Sequence, residues 1–302
     1  MKHLRTTLII TVLLAGCIHF RHPTIPLSYR NPEFFIYGMS LVNEDGTSFD
    51  TPANRQSLLN LQRTGISWVV FIINGFQDTI NSTRIYSGPT TPSVYELTRA
   101  TDYARRLNLQ VVYKFHIDNI HDSAQHWRGQ IGLHWQTDWE WNDWFANYRQ
   151  FIWPYLKTAE RLRVPLICIG NELTNLESHE PYWRTLIKEV RENYHGSLVY
   201  GANWDPGPDH LTWWDTLDFI GVSAYLPLSK EDHPTRESLI HSWRTDQRVK
   251  QINWLSAYYR KPVIFTEIGY RSVEGASHAP WEYHFSPPLD LMGAGRFILC
   301  RH

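Results

Sequence analysis

The chain has 302 residues, 42% of them hydrophobic, enough for one sizeable core on the scale of an α/β barrel of about 250 residues. Lys and Arg (29) nearly balance Asp and Glu (30), and a net charge of −1 argues against nucleic acid or a polyanion as the main partner. The 14 Trp, 16 Tyr and 13 Phe favour instead a neutral, flat, hydroxylated ligand, because aromatic rings stack on the apolar faces of sugars.

At the amino terminus Lys2 and Arg5 precede the apolar run Leu8 to Leu14, which Leu14-Ala15-Gly16-Cys17 closes with small residues and a Cys. The run is too short to span a bilayer, which takes about 20 apolar residues. It resembles the lipobox of bacterial lipoproteins. That resemblance implies a signal peptide over residues 1–16, lipidation of Cys17, a Pro-containing tether over residues 17–33, and a membrane-anchored protein of the bacterial cell envelope. Only Cys168 and Cys300 remain beyond it, so neither a disulfide framework nor a Cys-based metal site is expected.

A first strand is expected over Phe34 to Leu41, then a helix from Pro52 to Thr64 that stops before Gly65. Gly65 to Ile73 is β-rich, and a long polar loop from Asn74 to Pro92 follows at its carboxyl end, where barrels shape their clefts. Ser93 and Glu96 form a capping box for a helix with the stripe Leu97, Ala100, Ala104, Leu107, and Leu109 to Phe115 is the third strand. His116, Asp118, His121 and Asp122 then cluster in a loop. Their composition raises a metal, but their spacing matches no recognised two-His motif, and neither a metal nor another cofactor is expected. An aromatic helical segment, Trp139 to Arg163, is interrupted by Pro154. Beyond the fourth strand, Trp183 to Tyr194 is an amphipathic helix, Ser197 to Trp204 and Leu217 to Tyr225 are strands, and Thr235 to Tyr259 is helical. Strands alternating with helices at this rhythm, without internal sequence repeats, predict a parallel α/β barrel.

Two stretches carry the chemistry. Pro165-Leu166-Ile167-Cys168-Ile169-Gly170-Asn171-Glu172-Leu173 and Lys261-Pro262-Val263-Ile264-Phe265-Thr266-Glu267-Ile268-Gly269-Tyr270 each open on a Pro, run apolar and end in a carboxylate. Both read as buried parallel strands delivering an acid to the carboxyl-end mouth. Alternation along the first puts Leu166, Cys168, Gly170 and Glu172 on one face. The two acids are 95 residues apart, three steps of about 32, close to the length of a βα unit. One strand-end Glu could simply cap a helix; two at this spacing favour catalysis. A protonated carboxyl and an ionised carboxylate flanking one bond are what glycosidic cleavage needs.

These two stretches, with Trp127-Arg128-Gly129, Ala202-Asn203-Trp204-Asp205 and Leu217-Asp218-Phe219-Ile220-Gly221, resemble glycoside hydrolase family 113 from about Phe34 to Tyr283. The resemblance implies a retaining β-1,4-mannanase-like (β/α)8 TIM barrel over residues 34–302, acting on a polysaccharide or oligosaccharide by double displacement. It implies Glu172 as general acid/base and Glu267 as nucleophile. Asn171 is placed near the sugar 2-hydroxyl and Tyr225 on the nucleophile, with His116, Trp127, Arg128 and Trp204 lining the cleft. The chain departs from the family after Pro287-Pro288: Leu291 to His302 does not continue it, so a barrel truncated before strand eight is expected, with Phe297 to Cys300 as a short strand at most. A catalytically impaired glycan-binding lipoprotein with an incomplete barrel is the alternative.

Overall fold

The computed structural model describes residues 37–43, 48–121, 126–282 and 287–290. Strand β1 (Gly38–Leu41) is followed by α1 (Pro52–Arg63), β2 (Trp68–Gln77), α2 (Val94–Arg106), β3 (Gln110–Asn119), α3 (Asp138–Leu162) and β4 (Leu166–Asn171). Then come α4 (Thr174–Glu177), α5 (Glu180–Asn193), β5 (Ser197–Asn203), β6 (Ile220–Ser223), α6 (Arg236–Thr245), α7 (Gln247–Tyr259) and β7 (Val263–Glu267). The seven strands pair in sequence order, all parallel, as one curled sheet with helices between them.

Among the described residues one edge of the sheet is β1 and the other β7, so the expected barrel with seven strands and no eighth is what they form. An antiparallel bridge between Val273 and Leu289 ties down the segment after β7. The expected anchor at Cys17, the tether, Phe34 to Ile36 of the first strand and Phe297 to Cys300 lie outside the described residues. Among those described, no helix is long and apolar enough to cross a membrane.

Side-chain alternation splits the core into two layers. Trp68, Val70, Ile72, Val112, Leu166, Cys168, Val199 and Ile264 fill the concave side. Their neighbours Val69, Phe71, Ile73, Tyr113, Ile167, Ile169 and Tyr200 face outward onto the helices. Burying each such apolar side chain contributes about 1.5–3 kcal/mol. That is why α3 runs unbroken through Pro154: its buried face of Trp144, Tyr148, Phe151, Ile152 and Leu156 outweighs the roughly 3 kcal/mol cost of an interior proline.

Several boundaries differ from expectation, the expected strand Leu217 to Tyr225 shortening to Ile220–Ser223, and three of the differences have a clear cause. β2 continues to Gln77 instead of turning at Asn74, because Phe76 pairs with Tyr86 and the buried Gln77 accepts the indole proton of Trp144 (2.9 Å). β3 likewise runs to Asn119, in register with β2, so His116 and Asp118 are strand residues rather than loop residues. The helix expected over Thr235 to Tyr259 is two helices, because Asp246 leaves the helical region and caps α7 through the Arg248 N–H (2.8 Å).

Candidate active site

β7 ends at Glu267, and three elements converge on its carboxylate. Lys114 of β3 donates from Nζ to Oε1 and also reaches the Thr266 carbonyl (3.2 Å). Asn171 Nδ2 donates to Oε1 (3.1 Å), and Tyr225 OH donates to Oε2 (2.8 Å). His116, two residues beyond Lys114 on the same face of β3, lies 3.3 Å away through Nε2 without the alignment of a hydrogen bond. Ser223 Oγ donates to Asn171 Oδ1 (2.9 Å), which turns the amide so that its NH2 faces Glu267.

Burial alone would protonate Glu267. The charge of Lys114, the largest opposing influence, overcomes it and holds the carboxyl well below the usual range. Burial, with the charge of Arg128, depresses His116 to about 4, so its imidazole is neutral near neutral pH.

Glu172 sits just past β4, and here strict alternation fails. A bulge between Cys168 and Asn171 turns Gly170 outward, where a Cβ would come within 2.9 Å of Tyr200 and 3.1 Å of Trp183. Asn171 thereby points inward to Glu267, and Glu172 takes a left-handed φ of 55° with its N–H on the Gly201 carbonyl (2.7 Å). The expected shared face of Leu166, Cys168, Gly170 and Glu172 therefore holds only for Leu166 and Cys168. The Glu172 carboxylate accepts from Arg128 NH1 (3.2 Å), while the same guanidinium is locked on Asp118 through Nε (3.1 Å) and NH2. Burial first, then the negative charge of Glu267, outweigh Arg128 and push Glu172 up to about 7.

Five expected site residues, His116, Arg128, Asn171, Tyr225 and Glu267, thus meet around one pair of carboxylates with Glu172. Trp127 folds its ring over Gly129 at the turn that presents Arg128. Trp204, just past β5, packs on Trp281 (ring centroids 4.7 Å) and beneath Arg248 (5.2 Å) rather than against either carboxylate. Asp118, first met in a candidate metal cluster, serves Arg128; His121 is exposed beyond β3, and Asp122 lies outside the described residues.

Lys114 went unnoticed in the sequence, although a charge inside Val111-Val112-Tyr113-Lys114-Phe115 is the signal of a paired interior cation. Also unforeseen is a buried chain behind the acid. The Leu173 N–H donates to Tyr200 OH (2.9 Å), Tyr200 donates to Glu177 Oε1 (2.7 Å), and His210 Nε2 lies 2.6 Å from Glu177 Oε2.

A parallel αβ barrel whose mouth holds two buried carboxyls with opposite protonation preferences has the equipment of a glycoside hydrolase. The sequence profile described as Glycoside Hydrolase Family 113 matches residues 37–298, and the chain belongs to that family. Among solved structures it is similar to the GH113 β-mannanase AaManA from Alicyclobacillus acidocaldarius in complex with ManMIm, at 28% identity over 87% of this chain and 80% of that one, with a TM-score of 0.74. A complex structure of a GH113 β-1,4-mannanase is 26% identical over 85% of this chain and 79% of that one, with a TM-score of 0.74. A further GH113 β-1,4-mannanase is 28% identical over 83% and 77%, with a TM-score of 0.73. A comparison with curated proteins found no match.

Proposed function

We propose that this chain is a retaining β-1,4-mannanase in which Glu172 is the general acid/base and Glu267 the nucleophile. The observation that carries the reading is the split between the two carboxyls, Glu172 held up at about 7 and Glu267 held ionised. Glu267 attacks the anomeric carbon while Glu172 gives its proton to the leaving oxygen, so one C–O bond forms as the other breaks. The glycosyl-enzyme removes the negative charge of Glu267, the second cause of the raised Glu172 value, so Glu172 becomes a stronger acid just when it must become a base. It then takes a proton from water, whose oxygen displaces Glu267 from the sugar. Lys114 and Tyr225 stabilise the departing carboxylate, and Asn171, held by Ser223, presents its amide to the sugar 2-hydroxyl. Three mannanase structures of the same family, each aligned over more than three quarters of both chains, favour β-1,4-mannan as the glycan.

Release of reducing ends from β-1,4-mannan, abolished by Glu267→Ala, tests this. Mannan binding without any release by the wild-type chain would overturn it and favour the glycan-binding alternative. Residues 1–17 support a lipid anchor at Cys17 in the bacterial envelope. Expression in a bacterial host tests that: Cys17→Ser should move the protein out of the membrane fraction, and equal membrane retention would refute the anchor.

A further inference from the structure

Glu172 carries its carboxyl on a left-handed backbone, φ 55°, which a residue with a Cβ keeps only where its surroundings impose it. Two consecutive residues of β5 impose it. The Gly201 carbonyl accepts the Glu172 N–H (2.7 Å), and the Tyr200 hydroxyl accepts the Leu173 N–H (2.9 Å). The two peptide planes that meet at the Glu172 Cα are thus each pinned at the N–H, and planes held on both sides set the direction of the Cα–Cβ bond.

The second pin is a side chain, so it must itself be aimed. A hydroxyl can turn a lone pair to Leu173 only if its own proton goes elsewhere, and here it goes to Glu177 Oε1 (2.7 Å). A carboxylate only accepts, so His210 Nε2 is the donor to the other oxygen, Oε2, at 2.6 Å. The chain therefore runs from the Leu173 N–H through two buried side chains to a ring in the turn Pro208–His210 that is 31% exposed. Burial opposes a charge on that ring, but the hydrogen bond and charge of Glu177, with the Gly207 carbonyl and the Asp209 charge, raise His210 above the ordinary histidine range.

Aromatic packing keeps the parts in place. The Tyr200 ring meets Trp183 and Trp213 at steep angles, with centroids 5.1 Å from each. Those two indoles stack on one another (5.0 Å) and donate to carbonyls of α4, Trp183 to Leu176 (2.8 Å) and Trp213 to Glu177 (3.0 Å). Apolar side chains would fill the same space without burying a carboxylate, so stability alone does not account for the chain.

We infer that Tyr200, Glu177 and His210 are positioning residues for the general acid/base: they fix the peptide plane that follows Glu172 and so aim its carboxyl at the leaving oxygen. This rests on the retaining hydrolase reading above. Without His210, one oxygen of Glu177 loses its donor in the interior and the carboxyl is free to swing, carrying the Tyr200 hydroxyl with it.

Two substrates that differ in their need for an acid test it. Cleavage of β-1,4-mannohexaose expels an alcohol that Glu172 must protonate, whereas 2,4-dinitrophenyl β-mannobioside expels a phenolate that leaves without a proton. Tyr200→Phe keeps the ring and removes the hydroxyl. It should lower kcat/KM on mannohexaose at least about tenfold, through kcat with KM little moved, while kcat/KM on the aryl mannobioside stays within about twofold. His210→Leu, at the solvent end, should show the same pattern by at least about threefold and carries the test should Tyr200→Phe fail to fold. His210→Gln restores a donor to Glu177 and should return within about twofold of the wild type.

With an active wild type, folded variants that lose equally on both substrates, or on neither, overturn the positioning role and leave the hydrolase reading standing. His210→Gln as impaired as His210→Leu overturns the part given to His210. A wild-type chain that cleaves neither substrate sinks the hydrolase reading, and the positioning role with it.

Discussion

Replacing Lys114 by Met removes the cation nearest Glu267 while keeping a long apolar side chain in the barrel interior. Burial still penalises the Glu267 charge, and its largest counterweight is gone. A hydrogen bond to a charged group is worth about 1.5–3 kcal/mol, and one pH unit corresponds to about 1.4 kcal/mol. With Glu267 as the proposed nucleophile, the acidic limb of kcat/KM should therefore move up by about one to two pH units. Lys114 also lowers the Glu172 value, so the alkaline limb should move in the same direction and not inward.

Leaving a buried charge without its partner costs about 3–5 kcal/mol, or a fall in Tm of about 6–20 °C for a domain of this size. In the wild type the depressed value of Glu267 means that its contribution to stability is present above the ordinary carboxylate range and is lost as pH falls through the folded value. In Lys114→Met that loss should begin at higher pH. Adding Glu267→Gln removes the stranded charge, so the double variant should melt above Lys114→Met alone. Stopped assays across pH and calorimetric melts check both. An unmoved acidic limb in a folded variant, or a double variant no more stable than the single, would refute the pairing as the reason Glu267 is ionised.

With Glu172 as the proposed general acid, kcat/KM of the wild type should fall as pH rises through about 7; Arg128→Met removes the cation opposing its proton and should carry this limb to higher pH, measured by pH–rate profiles. The raised value of Glu172 also means that its stabilising contribution, full below the ordinary carboxylate range, declines as pH climbs toward about 7, so melts of Glu172→Gln should be less sensitive than the wild type over that window. Gly201→Ala builds a Cβ against Asn171 Oδ1 and against Thr266 Oγ1 (2.7 Å), and the amide must swing away; kcat should drop at least tenfold with little loss of Tm, and unchanged turnover would discount the aim of Asn171. Tyr200→Phe leaves the Leu173 N–H and a Glu177 oxygen unpartnered in the interior, at about 1–3 kcal/mol each, so Tm should fall by about 4–24 °C in a thermal melt.

Much of this protein was legible locally. Apolar runs ending in Glu172 and Glu267 announced buried strands with acids at one mouth, and both acids are there, after β4 and in β7. The Ser93/Glu96 box and the stop before Gly65 marked helix ends within a residue. Such signals depend on neighbours in the chain, through capping geometry and side-chain period, and a sequence displays them directly.

What stayed hidden depends on partners far along the chain. Lys114 meets Glu267 across 153 residues, and Asn171 reaches it only because a bulge breaks the alternation of β4. The continuation of β3 through His116 and Asp118 came from pairing with β2, where their polarity suggested a loop. Residue types and their order determined which groups could ionise and that two of them would share a rim. Which one keeps its proton was decided by the folded arrangement, since burial and the distance to each cation set that balance and neither exists before the sheet has curled.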